Sequence, residues 1–248
     1  MIITPIKTEK ILPKQTSLTK ILDVSIKKFP EKSILVITSK IVALCEGRIV
    51  PHTTKLDDNF FKKEADYYLP KKESRYGIPL TIRDNAFIAR AGIDSSNTDG
   101  VYSLLPKDSY KTSQKIRIYL CKRFNIQHVG VIIVDSHSTP LRRGTTGVAI
   151  GWSGFRGVKN YENVPDIFGK HFTTHANHID ALASSAVLTM GEGNEQTPLA
   201  LIQEINFIDF NPSSPTKKEL DFFKPSFKDD LFAPLFNFKR LKRGARKI

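Results

Sequence analysis

The chain has 248 residues, 40% hydrophobic and 25% charged, enough to bury a sizeable core. Its net charge of +13 attracts nucleotides, acidic coenzymes, glutamate, nucleic acid or anionic lipid without choosing among them, and a lysine-rich composition accounts for it equally well. No apolar run approaches the roughly 20 residues of a membrane helix, and the opening MIITPIKTEKILPK lacks the apolar core and cleavage site of a secretory signal, so no membrane partner and a cytoplasmic location are expected.

In chain order, IITPIKTEKIL reads as a strand and a turn. Leu18, Ile21, Leu22, Ile26 and Phe29 recur at helical spacing, with Ser17 as cap and Pro30 as stop. SILVIT, residues 33 to 38, is a buried strand with Ser39 and Lys40 at its exit. Cys45 and Cys121 form no CxxC pair and read as small buried hydrophobes. Residues 53 to 85 mix charges and aromatics and read as loop and helix, and AFIARAGIDSSN runs from apolar to turn chemistry. Ser113 is placed to cap a helix carrying Ile116, Leu120 and Phe124. GVIIVD is an apolar strand delivering Asp135 at its end, and GTTGVAIGWSG a glycine-spaced strand or hairpin. Ile179, Leu182, Ala183, Ala186, Val187 and Met190 form one face of a helix that Gly191 ends. LALIQEI is a late strand. Strands and helices alternate without a βαβ rhythm, which predicts a mixed α+β fold. From residue 211 the composition shifts to Pro, Phe and Lys, so residues 1–210 read as the main domain and 211–248 as a basic, Phe- and Pro-rich C-terminal extension. The final KRLKRGARKI carries six basic side chains and no acid, either a solvated tail or a contact for an acidic partner.

No Walker A sequence and no GxGxxG after a strand is present, so any nucleotide site is of a less familiar kind. Asp94, Ser96 and Asn97 suit an Asx-type turn as well as a cation. Asp135 with Ser136 is the stronger signal, since a carboxylate ending a buried strand is costly without a partner or a cation. Glu192 follows the helix stop in a loop with two glycines. Three acids of this kind suit Mg²⁺ or Mn²⁺, which take oxygen ligands and bridge phosphates. Ser39 and Lys40 could grip phosphate, and Lys40 is equally an ordinary surface lysine. Arg142 and Arg143 read as an anion clamp or a solvated turn. His171, His175 and His178, spaced four and three apart, would share one face of a helix, as a transition-metal site or as a polar face beside the active site.

With ITSKIVALCEGRIV, ARAGIDSSN and LLPKD, VIIVDSHSTPLRRGTTGVAIGWSG, DIFG and IDALASSAVLTMGE in this order over residues 1 to 205, the chain resembles the coenzyme F420-0:L-glutamate ligase family. The resemblance implies the family's α+β fold, with mixed, largely antiparallel sheets and flanking helices, and often a homodimer. It implies a γ-glutamyl ligase using GTP or ATP with Mg²⁺ or Mn²⁺, and K⁺ as a further cation, to join L-glutamate to the carboxylate of F420-0. Carried over by position, Asp94, Asp135, Ser136 and Glu192 look like metal ligands, and Asp94, Asp135 and Lys40 like the catalytic set. Ser39, Lys40, Asn97 and the stretch Thr189, Met190, Gly191, Glu192, Gly193, Asn194, Glu195 and Gln196 look like nucleotide contacts, joined by Ile11, Leu12 and Pro13. The chain departs from the family at Leu44, where a lysine is usual, at Ser138 and Thr139 in place of Gly-Arg, and before DIFG, where an arginine is missing. Some relatives serve folate metabolism, so a folate precursor such as dihydropteroate is the alternative acceptor. A basic nucleic-acid binder is the competing class. It lacks the aromatic platforms of single-strand binders, and nucleic acid is not the expected partner.

Overall fold

A computed structural model describes residues 1–13, 15–235 and 238–246. The elements in chain order begin with β1 (Ile2–Ile6), α1 (Leu18–Ser25), β2 (Ser33–Thr38), α2 (Ser39–Glu46), β3 (Ile49–Pro51), α3 (Asp58–Glu64), β4 (Tyr67–Leu69), β5 (Leu80–Arg83), β6 (Ala86–Ala89) and β7 (Val101–Ser103). They continue with α4 (Ser109–Phe124), β8 (Val129–His137), β9 (Thr146–Ser153), β10 (Val158–Asn160), β11 (His175–Asn177), α5 (His178–Met190), β12 (Leu199–Gln203), α6 (Lys217–Phe223) and β13 (Lys242–Arg243). The fold is mixed α+β with largely antiparallel sheets, as the sequence predicts.

A five-stranded sheet in the order β1-β12-β2-β8-β9 forms the centre, and β2–β8 is its one parallel pair. The two parallel strands are near-continuous apolar runs because both their faces are covered. Leu35, Ile37, Val131 and Ile133 face α1, α2 and α4 through Leu22, Val42, Leu44, Ile116 and Leu120. Ile34, Val36, Ile132 and Val134 face α5 through Ile179, Leu182, Ala183 and Ala186. Leu44, where a phosphate-facing lysine was the family expectation, is 1% exposed and part of the first of these cores. A smaller region carries the sheet β13-β4-β5-β6, with Tyr68 of β4 packed on Ala65 and Ala91, and the pair β3-β7, whose Val50 and Tyr102 pack on Phe61, Ile93 and Leu104.

The glycines of β9 have a steric reason. A Cβ on Gly147 would meet the Ala183 carbonyl of α5 at 2.6 Å, and one on Gly151 would meet Ser109 of α4 at 2.6 Å. Residues four apart on a regular strand share a face, yet these two meet opposite layers. The register shift opposite Ile133 and Val134 inserts one residue into β9 and reverses its side-chain alternation.

Several local expectations are corrected. The α4 cap is Asp108, whose carboxylate accepts from Lys111 N, while Ser113 lies inside the helix with its hydroxyl donating to Tyr110 O at 2.8 Å. Ser17 does cap α1, but the helix ends at Ser25, before Pro30. Residues 53 to 85 hold β4 and β5 besides α3, strands too short to display alternation. The three histidines do not share a helix face: His175 lies in β11, His178 opens α5, and His171 bridges Pro165. A hairpin intervenes where the spacing suggested a continuous helix, and His175 and His178 stack separately on Phe222 and Phe207. The C-terminal segment is neither free nor wholly solvated. Lys242 and Arg243 pair with β4, and the Arg246 guanidinium forks onto Asp66 and Asp84 at 2.9 and 2.8 Å. Lys247 and Ile248 of the basic tail lie outside the described residues.

Candidate active site

The candidate residues collect where the parallel strands β2 and β8 end, the edge at which open α/β sheets commonly bind ligands. Strand β2 runs straight into α2, so Ser39 and Lys40 begin a helix. Along β8, successive side chains alternate faces. Asp135 turns toward α2, where Ser39 Oγ donates to its Oδ1 at 2.9 Å. Ser136 turns the other way and donates to Glu192, whose two oxygens both lie 2.8 Å from its hydroxyl. Glu192 sits there because Gly191, at φ +82°, ends α5 and bends the chain back.

Asp94 closes the site from the β-rich region. Its Oδ1 accepts from Ser96 N at 2.8 Å, the Asx turn that this tripeptide favours. Its Oδ2 pairs with Lys40 Nζ at 2.6 Å, and the same ammonium donates to Ser96 O and Oγ at 2.8 and 2.9 Å. Asn97, at φ +52°, donates its side-chain amide to Gly193 O at 2.9 Å, joining this turn to the loop after α5. Gln196 N–H and C=O groups tie that loop to the N-terminal loop: its amide Nε2 donates to Thr8 O at 2.7 Å, and its carbonyl accepts from Thr8 N at 3.1 Å. These bonds hold Gln196 at φ +62°. Thr8 is the partner that sequence reasoning did not select. Ser96 was legible in GIDSSN as a turn residue, but Thr8 carries no local signal because its partner lies 188 residues away.

Electrostatics separate the two aspartates. Desolvation pushes the Asp135 carboxyl up to about 6, against the downward pull of the Ser39 and Ser136 hydrogen bonds, and the charge of Asp94 adds to the rise. Burial also raises Asp94, but its bonds to Lys40 and Ser96 outweigh this and hold it below the usual aspartate range.

The structure thus brings Ser39, Lys40, Asp94, Asn97, Asp135, Ser136 and Glu192 to one rim, with Gly193, Glu195 and Gln196 in the bordering loop. Glu195 accepts from Gly193 N at 2.8 Å. Asn194 and Thr189 are exposed, whereas Met190 is 3% exposed in the α5 core and offers only its backbone. Ile11, Leu12 and Pro13 are half-buried in the loop after β1, with Ile11 against the core. Arg142 and Arg143 are exposed in the β8–β9 turn.

Among the described residues no three His, Cys, Asp or Glu side chains converge tightly enough to hold a metal ion. The acids are instead linked pairwise, Asp94 to Lys40, Asp135 to Ser39 and Glu192 to Ser136. The donor chemistry still fits a hard divalent cation. Every candidate ligand is an oxygen, and the half-buried Asp135 carboxyl keeps a net desolvation cost that positive charge would relieve. Lys40 already supplies one such charge to Asp94.

Fold and rim together define a mixed α+β protein with an oxygen-rich acidic site at the carboxyl ends of a parallel strand pair. The model for F420-0:Gamma-glutamyl ligase matches residues 5–204, and the chain belongs to that family. A protein of Methanococcus maripaludis strain C7 named coenzyme F420:L-glutamate ligase is 32% identical over 221 residues, 80% of this chain and 88% of its own. One of the same name from Methanocaldococcus jannaschii is 37% identical over 129 residues, 51% of each chain. No helix among the described residues is long and apolar enough to cross a membrane.

Proposed function

We propose that this chain is a γ-glutamyl ligase that uses a nucleoside triphosphate and a divalent cation to join L-glutamate to an acceptor carboxylate, with F420-0 as the acceptor. The observation that carries this reading is the family match over residues 5–204, and the hydrogen-bonded rim of Ser39, Lys40, Asp94, Asp135, Ser136 and Glu192 supports it.

The chemistry needs positioning more than covalent help. An acceptor carboxylate oxygen bonds to the γ-phosphorus, and the bond from that phosphorus to the bridging oxygen breaks, releasing nucleoside diphosphate. The amine nitrogen of glutamate then bonds to the acyl carbon, the acyl–oxygen bond breaks, and phosphate leaves as the amine loses its proton. Asp94, Asp135, Ser136 and Glu192 would hold Mg²⁺ or Mn²⁺, which supplies neutralisation of the crowded phosphate charge. Lys40 leaves its bond to Asp94 for the transferring phosphoryl group. Ser39 orients Asp135, and Asn97 holds the loop at Gly193 against the nucleotide. His137 shares the Asp135 face of β8, two residues on, and takes the amine's proton.

The test incubates purified protein with GTP or ATP, Mn²⁺, L-glutamate and either F420-0 or dihydropteroate, and weighs the products by mass spectrometry. A product of F420-0 heavier by one glutamyl residue is expected. Dihydropteroate alone gaining that mass would move the chain to a folate-type acceptor. No glutamylated product from either would defeat the ligase reading.

A further inference from the structure

Beyond Asp135, strand β8 runs into the wall of a cavity of about 280 Å³. This is near the lower end of small-molecule pockets, a size for an amino acid rather than a whole polycyclic coenzyme. His137, Ser138 and Thr139 form one wall. Phe223, Lys224 and Asp230 line it as well, and they lie outside the family match at residues 5–204.

Most charged groups of the cavity are already committed. Asp84 pairs with Arg246. Asp180 accepts from Ala149 N at 3.0 Å and from Asn177 Nδ2 at 2.7 Å. Lys224 is different. Its ammonium lies 4.6 Å over the Tyr110 ring, and among the described residues no carboxylate stands within ion-pair distance of it. The side chains of His137, Ser138 and Thr139 likewise donate to no acceptor among the described residues. The uncommitted groups are therefore one cation and three donors, the complement of a carboxylate. Asp230 uses Oδ1 for Phe232 N at 2.8 Å and keeps its second oxygen for an ammonium. Burial lowers the Lys224 ammonium below the usual lysine range, against the upward pull of the Asp84 and Asp66 charges.

We infer that this cavity is the amino-acid subsite, in which Lys224 of the C-terminal segment anchors a carboxylate of L-glutamate beside the end of β8. Asp135 and His137 are two residues apart on one strand face, about 7 Å, so an amine held in the cavity lies next to the rim. This rests on the ligase reading and adds to it a glutamate-binding residue outside the family match.

The test compares Lys224→Met, which keeps the aliphatic stem and removes the charge, with Lys224→Arg. Glutamate binding to the full chain is measured by calorimetry, and KM is measured separately for glutamate, nucleotide and acceptor. Lys224→Met should weaken glutamate binding and raise its KM about 10- to 100-fold, with the other two KM values unchanged and glutamate binding largely restored in Lys224→Arg. Melting curves confirm that both variants fold. An unchanged glutamate KM in Lys224→Met, or a rise confined to the acceptor KM, overturns the inference while the ligase reading stands. Glutamate binding that depends on Lys224 without any ligation supports the subsite and defeats the reading. A wild-type chain that neither binds nor ligates glutamate overturns both.

Discussion

Replacing Asp135 by Asn should make the metal-free protein more stable while abolishing turnover. The residue is half-buried, with Ser39 Oγ 2.9 Å from Oδ1 as its side-chain hydrogen-bond donor, and desolvation raises the carboxyl from an ordinary 3.8 to about 6. The folded state therefore holds the proton more tightly than the unfolded state. Between those two values the folded chain binds more protons, so stability falls as pH rises through the window. Below about 4 nothing is lost, and above about 6 the loss is complete. The displacement corresponds to about 3 kcal/mol. Asparagine has the same shape, offers Ser39 an acceptor and never ionises, but its own amide N–H₂ must find partners. The net gain at pH 8 is about 1–3 kcal/mol, which for a chain of this size raises Tm by roughly 3–10 °C. Thermal melts of both proteins at pH 4.5 and pH 8 measure it. A gain at pH 8 that vanishes at pH 4.5 is expected, and Mn²⁺ should raise the melting point of wild type but not of the variant. A variant that melts lower than wild type at pH 8, or by the same margin at both pH values, refutes the desolvation argument.

Three further outcomes follow from individual contacts. Arg246→Ala strips two carboxylates of their shared guanidinium, whose side chain is 8% exposed, and should cost about 3–5 kcal/mol in urea unfolding. Lys40→Met should leave the melting temperature nearly unchanged, because its partner Asp94 is 46% exposed, yet slow single-turnover nucleotide cleavage about 100-fold or more. Gly154→Ala places a Cβ 1.9 Å from the Val129 carbonyl at φ +95° and should prevent soluble folding. The control Gly144→Ala, at φ +97° with open space around it, should lose only about 1 kcal/mol.

The elements that were legible in the sequence are those whose burial is uniform or strongly periodic. SILVIT matches β2 residue for residue, because a strand covered on both faces needs no alternation to be seen. The face from Ile179 to Met190 is wholly buried on α5, and Gly191 ends that helix. Elements defined by distant partners were not legible. Strands β4 and β5 have three and four residues, and β13 joins them from the far end of the chain. Arg246 looked like one basic residue among many until folding set it beside Asp66 and Asp84. The site shows the same division. Asp135 could be found because a carboxylate at the end of an apolar run is costly, whereas the Lys40–Asp94 pair depends on a contact between residues 54 positions apart. Lys224 was hidden by its lysine-rich surroundings, and only the cavity distinguishes it.

Strand geometry explains why these acids stand in linked pairs rather than in a cluster. Two consecutive β8 residues, Asp135 and Ser136, must point to opposite faces, and each face is closed by a different helix. The α2 face brings Ser39 and Lys40, while the α5 face brings Glu192 through the turn at Gly191. A ligand spanning both sets must therefore reach around the end of β8 rather than lie on one side of the sheet. That end is open because β9 returns only after the exposed turn at residues 141–145, and the β9 bulge lets α4 and α5 approach opposite faces closely beside it. The carboxylates of the two sets repel a bare polyphosphate, so the proposed ligation requires a divalent cation between them and the nucleotide.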